Sequence, residues 1–465
     1  MNNLGEYIHQ FRQQGVCVVM DINSGTIHVT DPLVYDIIEV HDKGGTYDDV
    51  MKMLKVKHKN VPLSEVSEAY SEIQTLINED MLFTDDPYKE RVLDFKNQKT
   101  VVKALCLHIA HDCNLSCKYC FAEEGMYHGK KAELMSPEVG KKALDFLVAN
   151  SGDRRNLEVD FFGGEPLLNF ETVKEIVRYG RNIEKKNKKK FRFTLTTNGV
   201  LVNDDVIEFA NKEMDNVVLS IDGRKEINDK MRPFRKEGVS TYDIILPKLK
   251  KFADSRNQDR YYVRGTFTRE NLDFSKDVIH LADQGFKQIS VEPVVAKETD
   301  SYALKKEDLP KLFEEYENLA AEMIKRDGTD KEFNFFHFMI DLSGGPCVYK
   351  RLSGCGSGTE YLAVTPTGEL YPCHQFVGNT DFLMGNVNDG VTNTAVRDRF
   401  KNCNVYAKKT CRTCFARYYC SGGCAANAYN FSGDILGDYE IGCELQKKRI
   451  ECAIAIQARK MMKEQ

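Results

Sequence analysis

A length of 465 residues, 42% of them hydrophobic, and a formal net charge of −5 fit a globular chain of two or three domains. That balance gives no electrostatic reason for nucleic acid or a membrane surface as partner. No apolar run approaches the roughly 18–20 residues that cross a bilayer. Residues 1–14 are polar with both charge signs and lack the apolar core of a signal peptide, so the cytoplasm is the expected compartment.

In chain order, residues 1–95 begin with two strand-like runs, 16–21 and 26–29, joined by the turn residues Asn23, Ser24 and Gly25. Helical patterns start near Asp31-Pro32, Thr46 and Ser64, with Asp31 and Ser64 as N-caps and Pro32 at the first helical position. A hairpin followed by three helices describes a small winged-helix-like module. Residues 96–300 alternate strands (104–110, 158–162, 192–197, 217–221, 262–268 and 288–292) with helices such as 137–149, 171–183 and 241–252. Regular β–α alternation implies parallel strands and right-handed crossovers, and six units make an α/β partial (β/α)6 barrel with its site at the strand C-termini. The KKNKKK run at 185–190 reads as a solvated loop. Residues 301–345 read as a charged helical connector, and 346–465 as a Cys- and Gly-rich domain that needs bound metal to hold its shape.

Fifteen cysteines in a reducing compartment point to metal rather than disulfides. Cys113, Cys117 and Cys120 are spaced C-x3-C-x2-C directly after the first barrel strand. Three thiolates on one tight loop hold three irons of a [4Fe–4S] cluster and leave the fourth open to another ligand; a zinc knuckle is the alternative. The stretch resembles the radical SAM superfamily signature, with Tyr119 at the aromatic position. The resemblance implies that S-adenosylmethionine (SAM) binds the open iron through its amino and carboxylate groups. One-electron cleavage of SAM then gives a 5′-deoxyadenosyl radical. It further implies that Gly163, Gly164, Glu165 and Pro166 hold the SAM amino group, and that Ser220 meets its ribose or methionine part. Asn198 and Asp222 end the third and fourth strands and face the barrel mouth. Arg264 and Arg232 compete for the SAM carboxylate, with a surface or structural ion pair as the alternative for each, and Glu292 ends the sixth strand, where it meets the adenine or closes the site.

A second set of cysteines follows. Cys355, Gly368 and Cys373, then Cys411, Cys414, Cys420 and Cys424, then Cys443, match the C-x(9–15)-G-x4-C, C-x2-C-x5-C-x3-C, C pattern of SPASM extensions. Zinc ribbons are the alternative for a bare C-x2-C. The resemblance assigns Cys355, Cys373 and Cys424 to auxiliary cluster I and Cys411, Cys414, Cys420 and Cys443 to auxiliary cluster II. Seven thiolates serve eight irons. Cys347 and Cys403 are candidates for the missing ligand; otherwise cluster I keeps an open iron suited to a substrate thiolate. Cys17, Cys106 and Cys452 read as packing residues, and His374 and Tyr371 flank Cys373 as relay or supporting groups.

Residues 1–95 carry eight Lys and Arg against seventeen Asp and Glu, which argues against DNA binding. A leader peptide adding a strand to the small sheet is the alternative, with residues 16–20 as the candidate edge. Recognition module, barrel and Cys-rich domain in this order resemble the thioether maturases of ribosomal peptides. The AEEG stretch after Cys120 is most similar to the maturases of six-cysteines-in-forty-five peptides. That resemblance implies a Cys-to-Thr-carbon cross-link in a precursor peptide, with an electron donor such as ferredoxin or flavodoxin. A sulfatase Ser/Cys-to-formylglycine maturase and a non-catalytic zinc-stabilised binding protein are the competing readings.

Overall fold

The computed structural model describes residues 7–89, 101–127, 132–235, 238–342 and 348–464. Cys347 and the 95/96 domain boundary lie outside them.

The N-terminal module contains β1 (Ile8–Gln13), β2 (Val16–Asp21), β3 (Ile27–Thr30), α1 (Pro32–Asp42), α2 (Tyr47–Lys57) and α3 (Leu63–Asn78). Asp31 caps α1 by accepting from the Leu33 and Val34 amides, with Pro32 at the first helical position. The cap of α3 is Pro62, not Ser64. The sheet is antiparallel in the order β1-β2-β3. This corrects the expected edge: β2 is central, because β1 precedes it and pairs along its whole length. Its alternation serves two cores. Val19 and Ile8 face α1–α3, whereas Val16, Val18, Met20 and Phe11 face Ala416, Ile450, Ile454 and Ala458 from the other end of the chain.

The barrel runs β4 (Ala104–His111), β5 (Glu133–Leu134), α4 (Pro137–Asn150), β6 (Asn156–Gly163), α5 (Phe170–Asn187), β7 (Lys190–Thr197), α6 (Asp204–Glu213) and β8 (Met214–Ser220). It continues through α7 (Lys225–Met231), α8 (Thr241–Ser255), β9 (Tyr261–Phe267), α9 (Phe274–Asp283), β10 (Gln288–Pro293), α10 (Leu309–Arg326) and β11 (Asn334–Phe335). Strands β4 and β6–β10 are parallel neighbours in an open sheet ordered β11-β10-β9-β8-β7-β6-β4-β12. The expected partial (β/α)6 barrel is present. The connector expected over 301–345 is more than a link, because its β11 extends the sheet beside β10. The lysine run is not a loop either: Lys185 and Lys186 close α5 and Lys190 opens β7.

Outward-pointing strand residues such as Leu157, Val159, Phe161, Phe193, Leu195, Val217, Leu219 and Val263 are fully buried under the helices. The inward positions Asp160, Phe162, Thr196, Ser220, Arg264 and Glu292 are only half-buried or exposed. An incompletely closed barrel therefore presents a polar concave face instead of a packed interior, and that face is where a site forms.

The C-terminal part contains α11 (Val348–Ser353), β12 (Tyr361–Val364), β13 (Glu369–Tyr371), β14 (Gly385–Asn386), β15 (Gly390–Val391), α12 (Thr394–Lys401), α13 (Arg417–Cys420), α14 (Ala425–Ser432) and α15 (Glu440–Glu464). Strand β12 pairs parallel with β4. The Cys-rich domain thus continues the barrel sheet on the side of the first metal loop. Cys106 and Cys452 are buried packing residues, and Cys17 is partly buried against the N-terminal core.

Candidate active site

At the C-terminal ends of the barrel strands lies a cavity of about 280 Å³. The loop after β4 enters it. Cys113, Cys117, Tyr119 and Cys120 line it, with Gly163, Gly164, Glu165 and Pro166 after β6, Asn198 after β7, Ser220 at the end of β8, and Arg232 and Arg264. Of the residues singled out in the sequence around SAM, only Asp222 is not on the wall. It is fully buried behind Tyr119, whose hydroxyl donates to both of its carboxylate oxygens at 2.7 Å. Arg232 Nη1 donates to that hydroxyl at 2.9 Å and lies 3.7 Å from Asp222.

The cysteine loop is pinned from outside the strand. Ser116 N donates to Pro233 O and Lys118 N to Met231 O, both at 2.9 Å. Asn198 Nδ2 reaches Asn114 Oδ1 at 2.7 Å and Cys113 Sγ at 3.6 Å. Burial pushes Cys113 up to about 11 and Cys117 up to about 12, so both are thiols unless a cation is present. Three thiols on one loop that line one cavity, Cys113 and Cys117 among them protonated until a metal binds, are a donor set suited to an iron–sulfur cluster.

The glycines after β6 are sterically obligatory. Gly163 has φ +122°, and a Cβ there would sit 2.4 Å from Ala110 O; at Gly164 it would sit 2.1 Å from Asp112 O. The backbone crosses so closely that Gly164 N donates to Ala110 O at 2.8 Å and Glu165 N to Asp112 O at 2.9 Å. Gly164→Ala is expected to push this crossing apart and lower stability by about 2–4 kcal/mol, the range for overpacking against rigid backbone. Denaturant unfolding measures it, and an unchanged midpoint would refute the account.

Glu165 is completely buried. Its carboxylate accepts from Leu167 N (3.0 Å), Thr197 Oγ1 (2.8 Å) and Asn198 N (2.8 Å). A carboxylate offers four lone-pair positions, so one on Oε2 is left for a donor in the cavity. An amino group fits that vacancy. Burial outweighs these hydrogen bonds and raises Glu165 to about 7.

His108, His111 and Tyr127, deeper in the barrel, escaped the sequence reading. His108 Nδ1 lies 3.0 Å from His111 Nε2, and Tyr127 packs on both rings. His374 lines the cavity, with Phe162 and Phe121 ring centroids at 5.1 and 5.6 Å and Tyr361 Oη at 3.3 Å. Burial lowers His374 to about 4 and keeps it neutral near pH 7. Tyr371 does not join the cavity wall; its hydroxyl faces Glu369. The HIAHDC pattern of β4 was the available signal for His108 and His111.

A second cavity of about 380 Å³ is lined by Cys411, Cys414, Cys420 and Cys443, with Cys424 also on its wall. Glu292, Pro293 and Val295 line both cavities and form the partition between them. Burial raises Cys411, Cys420 and Cys443 to about 11, so these positions too ionise only for a metal. Cys373 is buried after β13, and the charges of Cys424 and Cys355 push its thiol further up. Cys355 and Cys403 share a small third cavity, and Cys403 Sγ donates to Ile435 O at 3.6 Å.

Residues 107–277 match the Radical SAM superfamily, and residues 355–415 match SPASM, an iron-sulfur cluster-binding domain. The radical SAM cyclopropyl synthase TigE of Paramaledivibacter caminithermalis is 20% identical over 74% of this chain and 72% of its own. The cysteine-type anaerobic sulfatase-maturating enzyme of Clostridium novyi is 24% identical over 68% of this chain and 86% of its own. Among solved structures, Streptococcus suis SuiB bound to precursor peptide SuiA superposes with a TM-score of 0.53 at 17% identity. That likeness covers 92% of this chain and 96% of the other, and it bears on fold alone.

Proposed function

As a chain that joins a radical SAM barrel to an SPASM iron–sulfur domain, this protein is, we propose, a maturase that installs a thioether between a cysteine and a threonine carbon of a ribosomally made precursor peptide. The carrying observation is the pairing of a peptide-sized sheet module with a second cysteine set that offers seven matched thiolates for two four-iron clusters. Relatives whose names specify sulfatase maturation and PqqA peptide cyclisation support peptide as the substrate class.

Bound at Cys113, Cys117 and Cys120, a [4Fe–4S] cluster with SAM supplies one-electron cleavage of the sulfonium and thereby hydrogen abstraction from carbon. The residues around it hold SAM. The amino and carboxylate groups of SAM share one carbon, so their partners must be close together. Arg232 lies near enough to bias the Glu165 carboxyl, whereas Arg264 is engaged 2.9 Å from Glu292. Glu165 therefore takes the amino group and Arg232 the carboxylate. Arg264, on the wall of the first cavity, and Glu292, on the partition, are half-exposed and face the peptide. Cys355, Cys373 and Cys424 hold auxiliary cluster I and leave one position for the peptide thiol. Cys411, Cys414, Cys420 and Cys443 hold auxiliary cluster II. Thioether formation exchanges one C–H and one S–H for a C–S bond, a net loss of two hydrogen atoms.

Incubation with SAM, a low-potential reductant and Cys/Thr-containing precursor peptides tests this. The expected product is about 2 Da lighter, has lost one alkylatable thiol and carries no aldehyde. An aldehyde in place of the thiol would identify formylglycine chemistry instead.

The leader segment docks on β3, whose outer edge is unpaired among the described residues, while β1 lies against α15 through His9, which contacts Glu451 and stacks on Phe415. Val29 is 44% exposed on β3. Covering the exposed part of that valine is worth about 1 kcal/mol, and a glutamate there adds the cost of desolvating a charge, so Val29→Glu should weaken leader binding about tenfold. Fluorescence anisotropy with labelled leader peptide measures it, and wild-type affinity in the variant would rule out docking at this edge.

A further inference from the structure

Lys408 belongs to neither cysteine set, yet it lies between them. It is 3% exposed. Its ammonium makes one long hydrogen bond, to Gly437 O at 3.4 Å, and forms no ion pair among the described residues. The segment that carries it is fixed: Asn404 Oδ1 accepts from the Tyr406 and Ala407 amides at 3.0 Å, and Val405 N donates to Leu352 O at 3.0 Å. It is the one cation that lines both the small cavity of Cys355 and Cys403 and the larger cavity of Cys411, Cys414, Cys420 and Cys443, among the described residues. The other cations of the larger cavity have partners elsewhere. Arg417 bonds Asn23, Lys447 pairs with Glu444, and Arg449 donates to the Tyr316 hydroxyl.

A buried ammonium without a counter-ion is strongly unfavourable. No carboxylate supplies one here. Of the carboxylates on the larger cavity, Glu292 pairs with Arg264 and Asp438 accepts from the Thr410 hydroxyl, and the Lys408 charge acts on cysteines of both sets, Cys411 and Cys420 of one and Cys424 of the other. Clusters held by thiolates are net anionic, and their potentials follow nearby charge and solvent access.

We propose that Lys408 is a shared counter-cation of the two auxiliary clusters, a positioning charge that raises the reduction potential of both and offsets their mutual repulsion. A fixed positive charge stabilises the more negative, reduced form of each cluster. One side chain thus eases the reduction of both clusters, which suits a pair that passes a single electron. The proposal rests on both auxiliary sites being loaded, which iron and sulfide counting establishes without reference to potential or to the peptide product.

The test is an EPR-monitored redox titration of the reconstituted full chain and of Lys408→Met, Lys408→Gln and Lys408→Arg. The SAM-binding cluster, identified by its spectral response to SAM, is the internal control. In the Met and Gln variants both auxiliary clusters should become harder to reduce by about tenfold in the reduction equilibrium, about 59 mV for a one-electron couple. The Arg variant should restore both, with the control unmoved throughout. Should Lys408→Met load too little iron, Lys408→Gln, which keeps a donor for Gly437 O, is titrated in its place. Wild-type potentials in Lys408→Gln, a shift at only one auxiliary cluster, or an equal shift at the control would each overturn the proposal.

Discussion

Alanine at Cys113, Cys117 and Cys120 together is expected to abolish reductive cleavage of SAM while about two thirds of the iron remains bound. Among the described residues the three thiols are the only cysteines on the wall of the first cavity, and Glu292, Pro293 and Val295 separate them from the auxiliary set. Burial leaves Cys113 and Cys117 protonated without a metal, so removing the thiols removes the cluster instead of weakening it. Anaerobic iron counting, with chromatographic assay of 5′-deoxyadenosine and methionine, checks both halves. Loss of all iron would mean the two sites fold as one metal-dependent unit. Retained cleavage would refute the assignment of the loop. The same count decides against the zinc alternative, since the protein should hold iron and sulfide far in excess of zinc.

Glu165→Ala is expected to cost about 3–5 kcal/mol of stability and to abolish SAM binding. The carboxylate ties the end of β6 to the end of β7, and its loss leaves the Leu167 and Asn198 amides and the Thr197 hydroxyl unpaired in a fully buried place. Each orphaned donor costs about 1–3 kcal/mol, partly recovered by relaxation. Denaturant unfolding reads the first effect and equilibrium dialysis the second. The same residue gives a pH signature. Its pKa rises on folding from 4.5 to about 7, so its contribution to stability is complete below 4.5 and is lost as pH climbs through about 7. A SAM amino group donates to the ionised form and offsets that loss. Thermal stabilisation by SAM should therefore grow as pH rises through about 7, and Glu165→Gln should flatten the trend. A wild-type shift independent of pH would show that the carboxyl does not meet SAM.

The cysteine loop, the GGEP turn and the strand ends were readable because each is a local device. A tight loop fixes thiol spacing by covalent geometry, and Gly163 and Gly164 are required by atoms of the neighbouring strand at 2.4 and 2.1 Å. The parallel strands were readable because their outward face is uniformly apolar. Strand β1 was not, because IHQFRQ buries only Ile8, Phe11 and Gln13, a spacing without strand alternation among polar neighbours. Missing it made β2 look like an edge. Helix α15 hid for the opposite reason. Ile450 and Ile454 pack on the N-terminal sheet while Leu445, Ala453 and Ile456 pack on the barrel core, so no single apolar stripe marks it. The lysine run looked like a loop, yet a helix on the outside of a barrel presents just such a charged face. The role of Lys408 could not be read at all, since nothing in its neighbourhood of the chain shows that two cysteine sets separated in sequence converge on it.

The central strand of the N-terminal sheet also sets an order of assembly. Its Val19 face is closed by α1–α3, which follow within sixty residues, about the span a local module needs to fold as it is synthesised. Its Val16, Val18 and Met20 face packs instead on Ala416, Ile450, Ile454 and Ala458, with Ile340 and Leu342 partly buried against the same cluster. The N-terminal sheet thus waits, half dressed, for helix α15, and a nascent chain stopped before residue 440 leaves much of that apolar face open.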